Sequence, residues 1–96
     1  MPDILIGRWT SDCSEQRLPD QLSFAVQGLT WIVAHELLPC RLTGLRNQTA
    51  RRWYLDFQCR DGVLIDIDVN LLVDGTILLN ERPLGAACLY ARAGDP

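Results

Sequence analysis

The sequence predicts an all-β fold, a small antiparallel meander barrel of about seven strands. Three observations predict it. Residues Val63 to Val73 alternate with period two: Val63, Ile65, Ile67, Val69, Leu71 and Val73 on one face, and Leu64, Asp66, Asp68, Asn70 and Leu72 on the other. Three turn signals, Gln27-Gly28, Asp61-Gly62 and Asp74-Gly75, each sit between runs rich in Val, Ile, Leu and aromatic residues. A sheet with one apolar face must curl or stack to hide it, and short strands joined in sequence do so most simply as a barrel.

The strands are expected at 7–13, 21–26, 29–37, 51–60, 63–73, 76–82 and 86–92. The first carries Trp9 inward. The second and third are joined at Gln27-Gly28, where a two-residue loop pairs Val26 with Leu29, Phe24 with Trp31 and Leu22 with Val33. The third is read as strand to residue 37, although Ala34 to Leu38 before Pro39 also suits a helical turn. Between the fourth and fifth strands, a two-residue loop would set Phe57 against Asp66 and mix core with surface. A three-residue loop, Arg60-Asp61-Gly62, instead sets Phe57 against Ile65, Leu55 against Ile67 and Trp53 against Val69, with Gly62 at positive φ. The same test closes the next hairpin with Val73 to Gly75, pairing Leu71 with Ile77 and Val69 with Leu79. The seventh strand, 86–92, ends the meander. Arg41, Arg46, Arg51 and Arg52 cluster in the remaining stretch and read as a solvated loop edge.

Composition bounds the function. The 96 residues fit one domain spanning 1–96, and 48% of them are hydrophobic against 22% charged, a globular balance. The net charge is −3, without the basic excess of a general nucleic-acid or anionic-membrane binder. The longest apolar runs fall far short of a membrane span. Met1-Pro2-Asp3 lacks a basic leader and Ile4-Leu5-Ile6 is too short for a signal core. The chain therefore reads as cytoplasmic, or as periplasmic or secreted where a leader has been removed. Cys13, Cys40, Cys59 and Cys88 have no zinc spacing, and the lone His35 has no His partner, so no metal or cofactor is expected. Two disulfides or four buried thiols are the alternatives.

Gly7-Arg8-Trp9 on the first strand resembles the G-x-W signature of lipocalins and calycins, and Arg92 resembles the arginine that packs across that tryptophan. The resemblance implies a barrel end closed by a guanidinium stacked on an indole. With Trp9 opposite Arg92, the same register sets Cys13 opposite Cys88, close enough for a disulfide in a non-hydrogen-bonded pair.

Two constellations are candidates for function. Trp31, Trp53 and Phe57 point inward with Trp9 and Phe24, either as core filling or as the lining of an apolar ligand pocket. Asp56, Asp66 and Asp68 form a surface carboxylate cluster, with Asp56 facing Asp66 and Asp68 diagonal to it. Like charges so opposed cost about 0.2–1 kcal/mol, offset by Arg82 opposite Asp66 and by Arg52 next to Asp68. The bland reading is a balanced charge ladder, and the functional one a cation site or docking face. His35 is placed near Asp20, but no nucleophile motif accompanies it, so no catalytic residue is assigned. The expected function is a non-catalytic binding protein on a lipocalin-like barrel, taking a small apolar ligand or a protein partner. The rivals are an enzyme with an Asp/His cleft and an inhibitor or interaction protein using an exposed sheet face. A homodimer is expected from unpaired strand edges and from the outward Leu64 and Leu72.

Overall fold

Alternating inward apolar and outward polar side chains build a barrel of eight antiparallel strands. These are β1 (Gly7–Thr10), β2 (Gln21–Ala25), β3 (Gly28–Val33), β4 (Glu36–Thr49), β5 (Arg52–Cys59), β6 (Leu64–Leu71), β7 (Ile77–Arg82) and β8 (Ala86–Arg92). A 3-10 turn, Asp3–Leu5, precedes them. This computed structural model describes residues 1–11, 19, 21–33, 36–60, 62–82 and 85–93. Each strand pairs with its neighbours in sequence, and β1 pairs with β8 to close the barrel.

The interior is filled by one continuous apolar cluster. Trp9, Leu22, Phe24, Leu29, Leu55, Phe57, Ile67, Val69, Ile77, Leu79 and Tyr90 are all but inaccessible. The burial of β5 and β6 alternates residue by residue, as their sequences require.

The hairpin registers of β5, β6 and β7 match the sequence expectation: Phe57 faces Ile65, Trp53 faces Val69 and Leu71 faces Ile77. Gly62 and Gly75 have φ of 79° and 88°, the left-handed region that the two turns demand. Arg92 faces Trp9 across the β1–β8 seam. Its guanidinium carbon lies 4.3 Å from the centre of the indole. That guanidinium also donates to the carbonyls of Ile6, at 2.9 Å, and Ile4. The Trp9 indole N–H donates to the Leu5 carbonyl at 2.9 Å, so the 3-10 turn is tied across the end of the barrel. Gly7 has φ 131°, and a Cβ there would lie 2.7 Å from the Arg92 guanidinium. Both the backbone angle and the passing arginine therefore demand glycine in Gly7-Arg8-Trp9.

The expected antiparallel meander barrel is present with one strand beyond the about seven expected, and two local expectations are corrected. The meander has eight strands, because residues 36–49, read partly as the end of the third strand and partly as loop, form β4. Leu38, Cys40 and Leu42 do alternate with polar or ring residues, but a bulge between Leu42 and Gly44 breaks the period before it becomes clear. The β2–β3 loop is Val26-Gln27, and Phe24 faces Leu29 rather than Trp31. Gly28 is needed inside the strand, not in the turn: a Cβ there would fall 2.1 Å from the Cys40 carbonyl oxygen. Val73, assigned to the core face, is 97% exposed because β6 ends at Leu71.

Cys40 and Cys59 face each other across β4 and β5 and form a disulfide. The Cys59 N–H donates to the Val63 carbonyl and its own carbonyl accepts from Gly62, so both backbone groups turn toward β6. The cysteine pair is thus non-hydrogen-bonded within its own ladder, where side chains approach most closely. Cys88 is also disulfide-bonded; its expected partner, Cys13, lies outside the described residues, as do His35 and Asp20.

Candidate functional site

The three aromatic candidates converge in the barrel lumen. Trp31 and Trp53 are each 8% exposed and Phe57 is 1% exposed, within the same cluster as Phe24, Leu55 and Ile67. Glu81 continues the inward row of Ile77 and Leu79 and is the buried charged residue of the described core. Sequence reading missed it because Glu81 is the acid in an otherwise apolar alternation, and a single charge near a strand end reads as surface.

The carboxylate cluster is on the outer face. Asp56 faces Asp66, and Tyr54 faces Asp68, across β5 and β6. Arg52 grips Asp68 with two hydrogen bonds of 3.1 and 2.7 Å, the bidentate geometry of a strong ion pair. Arg46 reaches Asp56 at 3.6 Å. The guanidinium carbons of Arg46 and Arg52 lie 5.5 and 5.3 Å from the centre of the Tyr54 ring, within cation–π range. The bulge in β4 is what places Arg46 opposite Tyr54. Gly44 next to it leaves the space that the Asp56 carboxylate occupies, since a Cβ would meet Asp56 Oδ2 at 2.7 Å.

Arg82 faces Asp66 in register, as expected. Among the described residues the ion pairs of this face are nevertheless Arg46–Asp56 and Arg52–Asp68, and Asp66 faces Asp56. A hydrogen bond with Asp66, partial burial and the charge of Asp66 together raise the Asp56 pKa above its ordinary 3.8, against the opposing pull of Arg46 and Arg82. Arg46, Arg52, Tyr54, Asp68 and Arg82 line an open groove of about 520 Å³ on this face. Among the described residues no group of three or more His, Cys, Asp or Glu side chains is arranged to hold a metal ion, and no helix is long and apolar enough to cross a membrane.

The long strand β4 has a second consequence. Its first half pairs with β3 from Glu36 to Arg41, and its second half pairs with β5 from Cys40 to Thr49. The last backbone bond toward β3 is from the Leu42 N–H to the Gln27 carbonyl. Beyond it, Thr43–Thr49 has a strand neighbour on the β5 side alone among the described residues. At the junction, Gln27, Gly28, Thr30, Arg41, Gln58 and Arg60 help to line a groove of about 730 Å³. This surface is not legible in the sequence, where residues 38–50 fall between the expected strands 29–37 and 51–60.

No protein-family model, curated protein or solved structure matches the chain.

Proposed function

We propose that this chain is a non-catalytic protein-recognition module on a lipocalin-like barrel, and that it binds its partner with the outer surface rather than the lumen. The observation that carries the reading is the filled interior: among the described residues Trp31, Trp53 and Phe57 pack into the core with at most 8% exposure, as side chains that fill a lumen rather than line a ligand cavity. The seal formed by Asp3–Leu5, Gly7, Trp9 and Arg92 supports the lipocalin-like assignment, since it is the closure that the resemblance implies. Outside, arginines flank a tyrosine in an open groove, and these residue types are enriched where protein surfaces bind each other.

The test is a titration of the native protein with apolar probes, a long-chain fatty acid and anilinonaphthalene sulfonate, read by tryptophan fluorescence and native mass spectrometry. No stoichiometric complex is expected. A saturable one-to-one complex that quenches the buried tryptophans would overturn the proposal and restore the small apolar ligand.

A second reading, an enzyme, is favoured by Asp56 facing Asp66 beside Tyr54, with the Asp56 carboxyl held above its ordinary pKa, an arrangement suited to acid–base chemistry. It requires a substrate in the groove lined by Arg46 and Arg82. Hydrolysis of ester or glycoside probes that disappears in Asp66→Asn would support it over the binding reading.

A further inference from the structure

We propose that the open edge of β4, Thr43–Thr49, takes an extended acidic segment of a partner protein as an added strand. This rests on the outer-surface reading above and names the chemistry of the partner.

The backbone supplies the first part of the argument. Thr43–Thr49 is already extended and held by β5 on one side. The amides and carbonyls that point the other way meet no further strand among the described residues once Leu42 has bonded to Gln27. Such an edge is a template for a partner strand. Seven residues at about 3.3 Å per residue offer a docking length of roughly 23 Å, enough for several ladder bonds. The side chains around it do not close it off: Thr43, Leu45, Arg46, Asn47, Gln48 and Thr49 are all exposed.

Charge supplies the second part and chooses the occupant. Residues 36–60, which span β4 and β5, contain Arg41, Arg46, Arg51, Arg52 and Arg60 against the two carboxylates of Glu36 and Asp56, in a chain whose net charge is −3. The basic charge of an acidic protein is thus concentrated on the β4–β5 ribbon that carries the open edge. Arg52 is engaged by Asp68, and Asp56 by Asp66 and Arg46. Arg41 hydrogen-bonds to Gln58, and Arg51 donates its backbone N–H to Thr49. Neither guanidinium forms an ion pair among the described residues, so both remain available to an incoming carboxylate. The groove at the start of the edge extends this field, with Arg41 and Arg60 in its wall and no acidic side chain among its described lining. A second copy of this chain fits less well, because antiparallel pairing of the edge with itself about its centre would set Arg46 against Arg46. A nucleic acid would satisfy the arginines but not the row of backbone donors and acceptors.

The experiment uses a fluorescein-labelled peptide of about eight residues alternating Glu and Val, titrated into the intact protein by fluorescence anisotropy. Controls are the Lys/Val counterpart, a version with proline at alternate positions, and oligothymidylate. The Glu/Val peptide is expected to bind saturably, the proline version to lose at least about tenfold in affinity because it cannot complete the ladder, and the Lys/Val peptide not to bind. Arg51→Glu, in the exposed β4–β5 turn and outside any described ion pair, is expected to weaken the Glu/Val peptide by about tenfold, and Arg46→Glu by at least as much. Peptide-dependent slowing of amide exchange should fall on Thr43–Thr49. Equal binding of the proline version, protection confined elsewhere, tighter binding of oligothymidylate at the same arginines, or concentration-dependent dimerisation through Thr43–Thr49 would each overturn the inference. So would a failure of the Glu/Val peptide to bind. Those results leave the outer-surface reading standing, because that reading is tested separately, by apolar probes of the lumen and by hydrolysis of ester or glycoside probes.

Discussion

Two glycines show how much a single hydrogen in place of a methyl group decides here. At Gly28 an added Cβ would meet a backbone oxygen at 2.1 Å, which no side-chain rotation can relieve. At Gly62 the same Cβ would meet open space, and only the positive φ of 79° resists it. Gly28→Ala should therefore cost about 3 kcal/mol or more and Gly62→Ala about 1 kcal/mol, measured by denaturant unfolding; equal costs would show that β3 and β4 are not in this close register. The role of Gly62 was legible because alternation on both flanks forced a three-residue loop. That of Gly28 was not, since it depends on β4, a strand distant in sequence and itself unrecognised. Charge acts at the same scale through Asp56. Its folded pKa is raised above the ordinary 3.8, first by the hydrogen bond with Asp66. A carboxyl whose pKa rises on folding contributes stability that is present below its unfolded pKa and is lost as pH climbs through the folded one. As pH rises from the ordinary 3.8 through the raised folded value, Asp56 should therefore lower the thermal midpoint, and Asp56→Asn should flatten that dependence. An unchanged slope in the variant would place the proton elsewhere.

At the scale of elements, the β1–β8 seam depends on Arg92, which stacks on Trp9 and binds the carbonyls of Ile4 and Ile6. Arg92→Ala removes all of these contacts at a partly solvated site and should destabilise the protein by about 1–3 kcal/mol, with Arg92→Lys intermediate because it keeps the charge but not the fork. Equilibrium unfolding would show it, and an alanine variant as stable as the parent would mean that the seam is held by the ladder alone. The β4–β5 ribbon is braced by Cys40–Cys59, which closes a separation of 19 residues. The paired substitution Cys40→Ala/Cys59→Ala should cost about 3 kcal/mol through the freer unfolded chain. The seam was legible from Gly7-Arg8-Trp9 and Arg92, since each residue has a direct partner across the register. The ribbon was not: its alternation is shifted by the bulge at Thr43, Pro39 reads as a break, and nearly every β4 side chain faces solvent.

Across the whole molecule, the apolar faces of eight strands are consumed in filling the lumen, and apart from the buried Glu81 the polar chemistry described above lies on the outside. The carboxylate cluster was legible as a set of facing positions because β5, β6 and β7 were placed in the right register. Its arginine partners were only half legible, since Arg46 reaches Asp56 from the unrecognised strand. Among the described residues the second half of β4 has a strand neighbour on one side alone, and basic residues gather along the β4–β5 ribbon. Residue-resolved amide hydrogen exchange of the protein alone tests this arrangement most directly. The account predicts slow exchange through the paired core of β5, β6 and β7 and protection at the β1–β8 seam, with fast exchange at those amides of Thr43–Thr49 that point away from β5. Uniform protection along both sides of β4, or an unprotected β1–β8 seam, would contradict it.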